Sequence, residues 1–99
     1  MNSKINVIKE YSKEERMTRE GGEKLREQIL SASKNHAVVE LNFSKTPVAS
    51  VSFWDESLAK LLLEGWTIKD IQNKIKLVDV HPRDVEILDK LIQARKATK

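Results

Sequence analysis

The sequence predicts an α/β fold: a small, mostly parallel sheet of three to four strands with helices packed on it. Two observations predict this class. Strand-like and helix-like patterns alternate along the 99 residues. In addition, one strand has the near-continuous apolar run that is typical of a central strand. Such alternation favours a layered α/β fold with right-handed crossovers.

The first predicted strand is short and half-buried. Residues 4–9 alternate polar and apolar side chains, which places Ile5 and Val7 on one face of the strand. Residues 10–18 are polar and lack periodicity, so this segment is predicted to be a loop.

The first predicted helix covers about 19–33 and is capped by Thr18. Gly21 and Gly22 lie in its first turn, where each glycine costs roughly 1 kcal/mol relative to alanine. The pair therefore indicates either a close backbone approach or an imperfect helix start. The apolar stripe of this helix is Gly22, Leu25, Ile29 and Ala32.

The middle of the chain contains the clearest strand, residues 37–43, which we expect to be central and covered on both faces. A loop over residues 44–51 follows it. The second helix is predicted over about 53–64. Its apolar stripe is Trp54, Leu58, Leu61, Leu62 and Gly65.

The last third of the chain begins with a short helical turn capped by Thr67. A third strand is predicted over residues 75–80. Pro82 fits the first position of a last helix over about 83–95. The side chains expected to point inward from that helix are Val85, Leu88, Leu91 and Ile92.

Composition excludes several classes of protein and site. The chain has no cysteine and two histidines, which argues against disulfides, a cysteine nucleophile and a histidine-rich metal site. No apolar run approaches a membrane span, and no signal-peptide core follows the N-terminus. We therefore expect a single cytoplasmic domain over residues 1–99, with a basic tail that frays at about 96–99.

The charge pattern argues against nucleic acid as a partner. The chain carries 18 basic and 15 acidic residues, a net charge of +3, and the two signs are interspersed. A nucleic-acid footprint is more often a stripe of basic residues with aromatic residues between them. A nucleic-acid interface at the basic ends of the chain is therefore the least favoured binding hypothesis.

No catalytic or cofactor motif is present. The glycines form neither GxGxxG nor a Walker A loop, and there is no GxSxG elbow. Asp55 and Glu56 are adjacent, so on a helix they point about 100° apart and do not form a facing acid/base pair. Their expected role is favourable charge at a helix N-terminus. We therefore expect a protein that is not an enzyme and needs no cofactor or metal.

The candidate site is the segment between the central strand and the second helix, residues 44–56. In parallel α/β sheets, binding sites lie outside the carboxyl ends of the strands. Ser52-x-x-Asp55 resembles a capping box, which predicts that Ser52 is a helix N-cap. The alternative interpretation is that Ser52 is a modification site, because a helix N-terminus also stabilises phosphate. The residues predicted to bind a partner are Ser50, Ser52, Phe53, Asp55 and Glu56.

Four motifs carry a family resemblance: Arg19-x-x-Gly22-x-x-Leu25-Arg26-x-x-Ile29, Val39-x-Leu41-Asn42-Phe43, Ser52-Phe53-Trp54-Asp55-Glu56-x-Leu58 and Ile75-x-Leu77-Val78. In these the chain resembles the STAS-like family from about Ile5 to Arg95. These are small bacterial and archaeal domains related to the STAS domains of anti-sigma factor antagonists.

The resemblance implies a STAS-like fold and a regulatory role. In the antagonists, a serine at the start of the helix after a central strand is phosphorylated by a partner kinase, which is also the anti-sigma factor. Ser52 stands at the equivalent position, and Ser50 falls where those proteins often have aspartate. The implied partner is a protein, of which a histidine-kinase-type ATPase is one candidate.

Two hypotheses about function stay open at this point. The first is a non-enzymatic regulatory module that binds a partner protein through the 44–56 loop, the 53–64 helix and the adjoining surface. Ser52 is its candidate phosphorylation switch, with Ser50 as the second choice. The alternative is a small-ligand or nucleotide-binding domain that uses the same loop, because helix N-termini favour anions.

Overall fold

The computed structural model describes residues 2–97, and the side chains of residues 3–95. It confirms the α/β class: three parallel strands form one sheet in the order β1–β2–β3. The strands are β1 (Asn2–Asn6), β2 (Val38–Asn42) and β3 (Ile75–Val78). The α-helices are α1 (Val7–Glu10), α2 (Arg19–Ser33), α3 (Val51–Ser57), α4 (Ile68–Lys74) and α5 (Pro82–Ala97), and 3₁₀ helices form at Glu15–Met17 and Ala59–Glu64.

The central position of β2 is confirmed, but its predicted cover on both faces is wrong. Val39 and Leu41 are fully buried, whereas Glu40 between them is partly exposed. On that second face, Lys4 and Lys76 are the register partners of Glu40, and both are exposed. A row of charged side chains keeps this face in contact with water, so only the opposite face joins the core.

The first strand ends earlier than predicted. β1 stops at Asn6, whose side chain accepts a hydrogen bond from the backbone N–H of Lys9 at 3.1 Å and caps α1. Asparagine is a strong capping residue, so the chain turns into a helix at Val7. Val7 is still buried, which explains why the alternating pattern resembled a longer strand.

The start of α2 confirms the predicted Thr18 cap and decides between the two interpretations of the glycine pair. The Thr18 side chain accepts a hydrogen bond from the Gly21 N–H at 3.1 Å. A Cβ at Gly21 would lie 1.7 Å from the carbonyl oxygen of Glu15, inside the preceding 3₁₀ helix. The glycine pair therefore marks a close backbone approach.

The second predicted helix is divided in two. α3 begins at Val51 and ends at Ser57, and the 3₁₀ helix Ala59–Glu64 follows it. The predicted stripe is nevertheless buried from Trp54 to Leu62, because residues three apart also share one side of a 3₁₀ helix. Gly65, the last member of the predicted stripe, is exposed and ends this segment with a left-handed φ of 91°.

The last third of the chain follows the prediction with two corrections. Thr67 and Asp70 form a complete capping box on α4. β3 ends at Val78, two residues early, because Asp79 adopts a left-handed φ of 53°. In α5, Val85 is 49% exposed, and Asp84 points inward in its place.

The core lies between the sheet and the helices. Trp54, a member of the predicted stripe, belongs to it, and so does Trp66. α5 continues to Ala97, so part of the tail predicted to fray is helical, while Thr98 and Lys99 lie outside the described residues. Within residues 2–97, no helix is both long enough and apolar enough to cross a membrane.

Candidate functional site

The segment between β2 and α3, residues 43–50, is called the β2–α3 loop below. It leaves the central strand at the carboxyl edge of the sheet, as the sequence predicted. Its start is tied to the end of β3: Phe43 N–H donates to the Val78 carbonyl at 3.0 Å, and Lys45 N–H donates to the Asp79 carbonyl at 2.8 Å. The loop is therefore an ordered extension of the sheet edge.

The backbone of this loop is strained. Ser44, Lys45 and Ala49 have φ values of 48°, 60° and 51°. Left-handed conformations cost roughly 1–2 kcal/mol for residues with a Cβ. They persist only where the surrounding structure holds them, and they cluster at clamps and switch regions.

Asp84 is what holds the second half of the loop. One carboxylate oxygen, Oδ2, accepts the Val48 N–H at 2.7 Å. The other, Oδ1, accepts the Ala49 N–H at 2.7 Å and the Trp54 indole N–H at 3.2 Å. The Asp84 side chain is fully buried. A buried carboxylate with three N–H donors is well satisfied, so α5 fixes the loop through one side chain.

Sequence reasoning missed Asp84, although a signal was present. An aspartate in the first turn of a helix is ordinarily a surface residue that favours the helix dipole. Asp84, Leu88 and Arg95 are, however, spaced by four and seven residues, which places them on one face of α5. Both charged members of this face contact the residues around α3.

The predicted N-cap of α3 is wrong by two residues. Ser50 is the cap: its side chain accepts the Phe53 N–H at 3.2 Å. Ser52 lies inside the first turn and is partly exposed. Because the loop is held at Val48 and Ala49, the first residue free to turn into the helix is Val51, and the serine before it becomes the cap.

Glu56 points into a cluster of cations. Its carboxylate accepts from Arg19 at 3.0 Å, from Arg26 at 3.2 Å and from Lys60. Burial alone raises the pKa of this carboxyl, but hydrogen bonds from Lys60, Arg26 and Arg19 outweigh burial and lower the pKa to about 2. Glu56 therefore stays ionised across the physiological range.

Asp55 pairs with α5. Arg95 donates to both Asp55 oxygens at 2.7 Å, and this pairing raises the pKa of the Arg95 guanidinium. Both carboxylates lie in the last turn of α3, so the predicted role of favourable charge at its N-terminus is wrong. They join α3 to α2 and α5 instead.

Two of the four motifs that carry the family resemblance, the first and the third, contact each other around Glu56. Arg19 and Arg26 of the first motif contact Glu56 of the third. A Cβ at Gly22 would lie 2.7 Å from both the Phe53 carbonyl oxygen and the Glu56 Cβ. The two motifs are therefore two sides of one helix–helix contact.

Phe53 does not reach the surface. It is fully buried and contacts the rings of Tyr11 and Trp54 edge-on, with centroids 6.4 and 6.1 Å away. Of the five residues predicted to bind a partner, the structure leaves Ser50 and Ser52 partly exposed and places Phe53, Asp55 and Glu56 in packing or ion pairs.

Two shallow grooves flank the loop. The first, of about 180 Å³, is lined by Lys13, Arg16, Met17, Thr46, Pro47 and Val48. The second, of about 380 Å³, is lined by Ala49, Arg83, Glu86, Ile87 and Lys90. The loop thus forms a ridge between two grooves that carry basic side chains.

Among the side chains of residues 3–95, no group of three histidine, aspartate or glutamate side chains is arranged to hold a metal ion. No family model matches the chain, and neither a curated protein nor a solved structure is significantly similar to it.

Proposed function

We propose that this protein is a non-enzymatic regulatory module that binds a partner protein through the β2–α3 loop and the first turn of α3. One observation carries this proposal: the buried Asp84 carboxylate holds the backbone of an exposed, strained loop. A loop held in one conformation before binding loses little entropy on binding. The resemblance to the STAS-like family supports the same surface.

Ser52 is the proposed switch in this module. Asp55 and Glu56 lie three and four residues further along α3, on the same side as Ser52. A phosphate on Ser52 would repel both carboxylates and compete with them for Arg19 and Arg95. Phosphorylation would therefore alter the loop surface and loosen the ion pairs that join α2, α3 and α5.

The resemblance implies a partner of the histidine-kinase ATPase type. This kinase would both phosphorylate the module and bind it. Ser50 is the second candidate for modification. A phosphate on Ser50 would turn the hydroxyl oxygen that caps α3 into a bridging ester oxygen, which is a weaker acceptor, and would place phosphate oxygens near the Phe53 N–H. The two sites are separated by comparing Ser50 and Ser52 variants.

The alternative, a small-ligand or nucleotide-binding domain using the same loop, has weaker support. Small-molecule sites usually enclose about 300–1,000 Å³ and bury most of the ligand. The first groove is smaller, at about 180 Å³, and the second is lined largely by exposed side chains. A ridge between shallow grooves fits a protein surface better than a small molecule.

Photo-crosslinking tests the proposed function. A photoreactive amino acid at Ala49 or Val51, both exposed, is illuminated in cells of the source organism, and the adducts are identified by mass spectrometry. The control is the same substitution at Leu63, which is 68% exposed on the Ala59–Glu64 helix. We expect one protein adduct shared by positions 49 and 51 and absent at 63.

The switch is tested on the same adduct. Ser52→Asp is expected to reduce its yield, and Ser52→Ala is expected to preserve it. Positions 49 and 51 giving no adduct, or the same adducts as position 63, would contradict the proposed function. Equal adduct yields from both Ser52 variants would refute the switch role of Ser52 but would leave the proposed binding surface standing.

A further inference from the structure

Resting on the proposed function, we propose that the partner contributes an acidic segment containing apolar residues, which lies across the β2–α3 loop with its side chains in the two grooves. The chemistry of the groove linings points to this occupant. Together, the two linings contain four basic side chains, Lys13, Arg16, Arg83 and Lys90, and one acidic side chain, Glu86.

The single acidic side chain does not cancel this charge. Glu86 is paired with Lys90 at 3.2 Å, so it offsets one cation of the second groove. Arg83 in that groove and Lys13 in the first are exposed. Lys45 on the loop is exposed as well. An approaching carboxylate therefore meets positive charge on both flanks of the ridge, which raises the association rate and orients the partner.

The apolar part of the linings favours a peptide. Met17 in the first groove is 58% exposed, and Pro47 beside it is also exposed. In the second groove, Ala49 and Ile87 are accessible. A segment that alternates acidic and apolar side chains would satisfy both kinds of surface.

The aromatic residues argue against nucleic acid as the occupant. The chain has five aromatic residues, and Tyr11, Phe43, Phe53, Trp54 and Trp66 are all buried. Proteins that hold single strands combine basic grooves with aromatic side chains on which bases stack. These grooves have the cations without a stacking surface, so carboxylates fit them better than nucleotides.

The test measures binding of a short fluorescent peptide of glutamate, leucine and glycine, with a control peptide that has glutamine in place of each glutamate. We expect at least about tenfold tighter binding of the glutamate peptide at low salt. This difference should shrink as salt rises, because exposed charges are screened.

The variant for this test is Lys13→Ser with Arg83→Ser, one substitution in each groove. The matched control is Lys34→Ser with Lys69→Ser, which removes the same charge from exposed positions that line neither groove. We expect the groove variant to bind the glutamate peptide at least about tenfold more weakly, and the control variant to differ by less than about twofold.

Three results would overturn the proposal: glutamate and glutamine peptides binding alike or not at all, equal affinities for the two double variants, or an oligothymidylate binding more tightly than the glutamate peptide. Crosslinking separates this failure from failure of the proposed function. Adducts from positions 49 and 51 that persist in the groove variant leave the function standing without an acidic partner, whereas loss of all adducts from the unaltered protein refutes the function itself.

Discussion

Asp84 shows how one side chain sets the geometry of a surface. A buried carboxylate is costly unless its oxygens accept enough hydrogen bonds. Here the donors are two backbone N–H groups of the loop and the Trp54 indole. The same three bonds that satisfy the carboxylate therefore hold the loop beside the aromatic core.

Asp84→Asn should destabilise the fold and release the loop. An amide has one acceptor oxygen and places an NH₂ against a backbone N–H, so at least one buried donor loses its partner. We expect a loss of about 1–3 kcal/mol in chemical denaturation, with faster hydrogen exchange at Val48 and Ala49. Asp89→Asn, exposed on the same helix, is the control and should stay within about 0.5 kcal/mol. Unchanged exchange at Val48 and Ala49 would show that Asp84 does not hold the loop.

The capping assignment is tested by a pair of serine variants. Ser50→Ala should lower the free energy of unfolding by about 1 kcal/mol, because the Phe53 N–H loses its acceptor. Ser52→Ala should change it by less than about 0.5 kcal/mol, since Ser52 lies inside the helix. Thermal unfolding of the two variants measures the difference, and a larger effect at Ser52 would restore it as the cap.

The contact between α2 and α3 is close because it has both a small residue and opposite charges. Gly22 lets the α3 backbone approach, and Arg26 then reaches the Glu56 carboxylate and carbonyl. Arg26 and Glu56 are both largely buried, with side chains 14% and 7% exposed. Ion pairs of this kind depend on geometry, so the approach distance sets their strength.

Gly22→Ala should disrupt that contact. The added methyl would lie 2.7 Å from the Phe53 carbonyl oxygen, which belongs to the backbone and cannot rotate away. Overpacking of this kind costs about 1–3 kcal/mol despite the better helix propensity of alanine. The control is Ser31→Ala at an exposed position of α2, where a neutral or slightly stabilising effect is expected. Urea denaturation gives both values, and a stabilised Gly22→Ala protein would contradict the close approach.

The fold as a whole is a layer of helices on one side of a parallel sheet, joined by ion pairs between the helices. Glu56 connects α2 and the 3₁₀ helix Ala59–Glu64 to α3, and Asp55 connects α5 to it. The assembly of helices therefore depends on carboxylates that remain ionised.

Acid should weaken this assembly in a defined range. The pKa of Glu56 is about 2 in the folded state, against an ordinary value of 4.5. A lowered folded-state pKa stabilises the fold above the unfolded value, and this stability is lost as pH falls from about 4.5 towards 2. The loss attributable to Glu56 is on the order of 3 kcal/mol.

Urea midpoints at a series of pH values measure this effect. The unaltered protein should lose stability steeply between about pH 4.5 and pH 2. Glu56→Gln should be less stable at neutral pH and should show a flatter dependence in the same range. Parallel curves for the two proteins would mean that Glu56 is not the group responsible.

Sequence alone was enough for the features that depend on neighbours along the chain. Thr18 and Thr67 were predicted as caps, and Pro82 as the start of the last helix, because each acts on backbone groups within three or four residues. The apolar run at 37–43 likewise marked the central strand. These signals are local, so the α/β class and the order of its main elements follow from them.

The site itself was decided by contacts between distant segments. Asp84 reaches Val48 across 36 positions, and Arg26 reaches Glu56 across 30. Sequence periodicity does not reveal contacts between segments so far apart in the chain. Because Asp84 holds the loop, α3 is capped by Ser50 and not by the predicted Ser52. Periodicity and capping describe one segment at a time, whereas burying a carboxylate requires donors from another segment, and only the folded chain brings the two together.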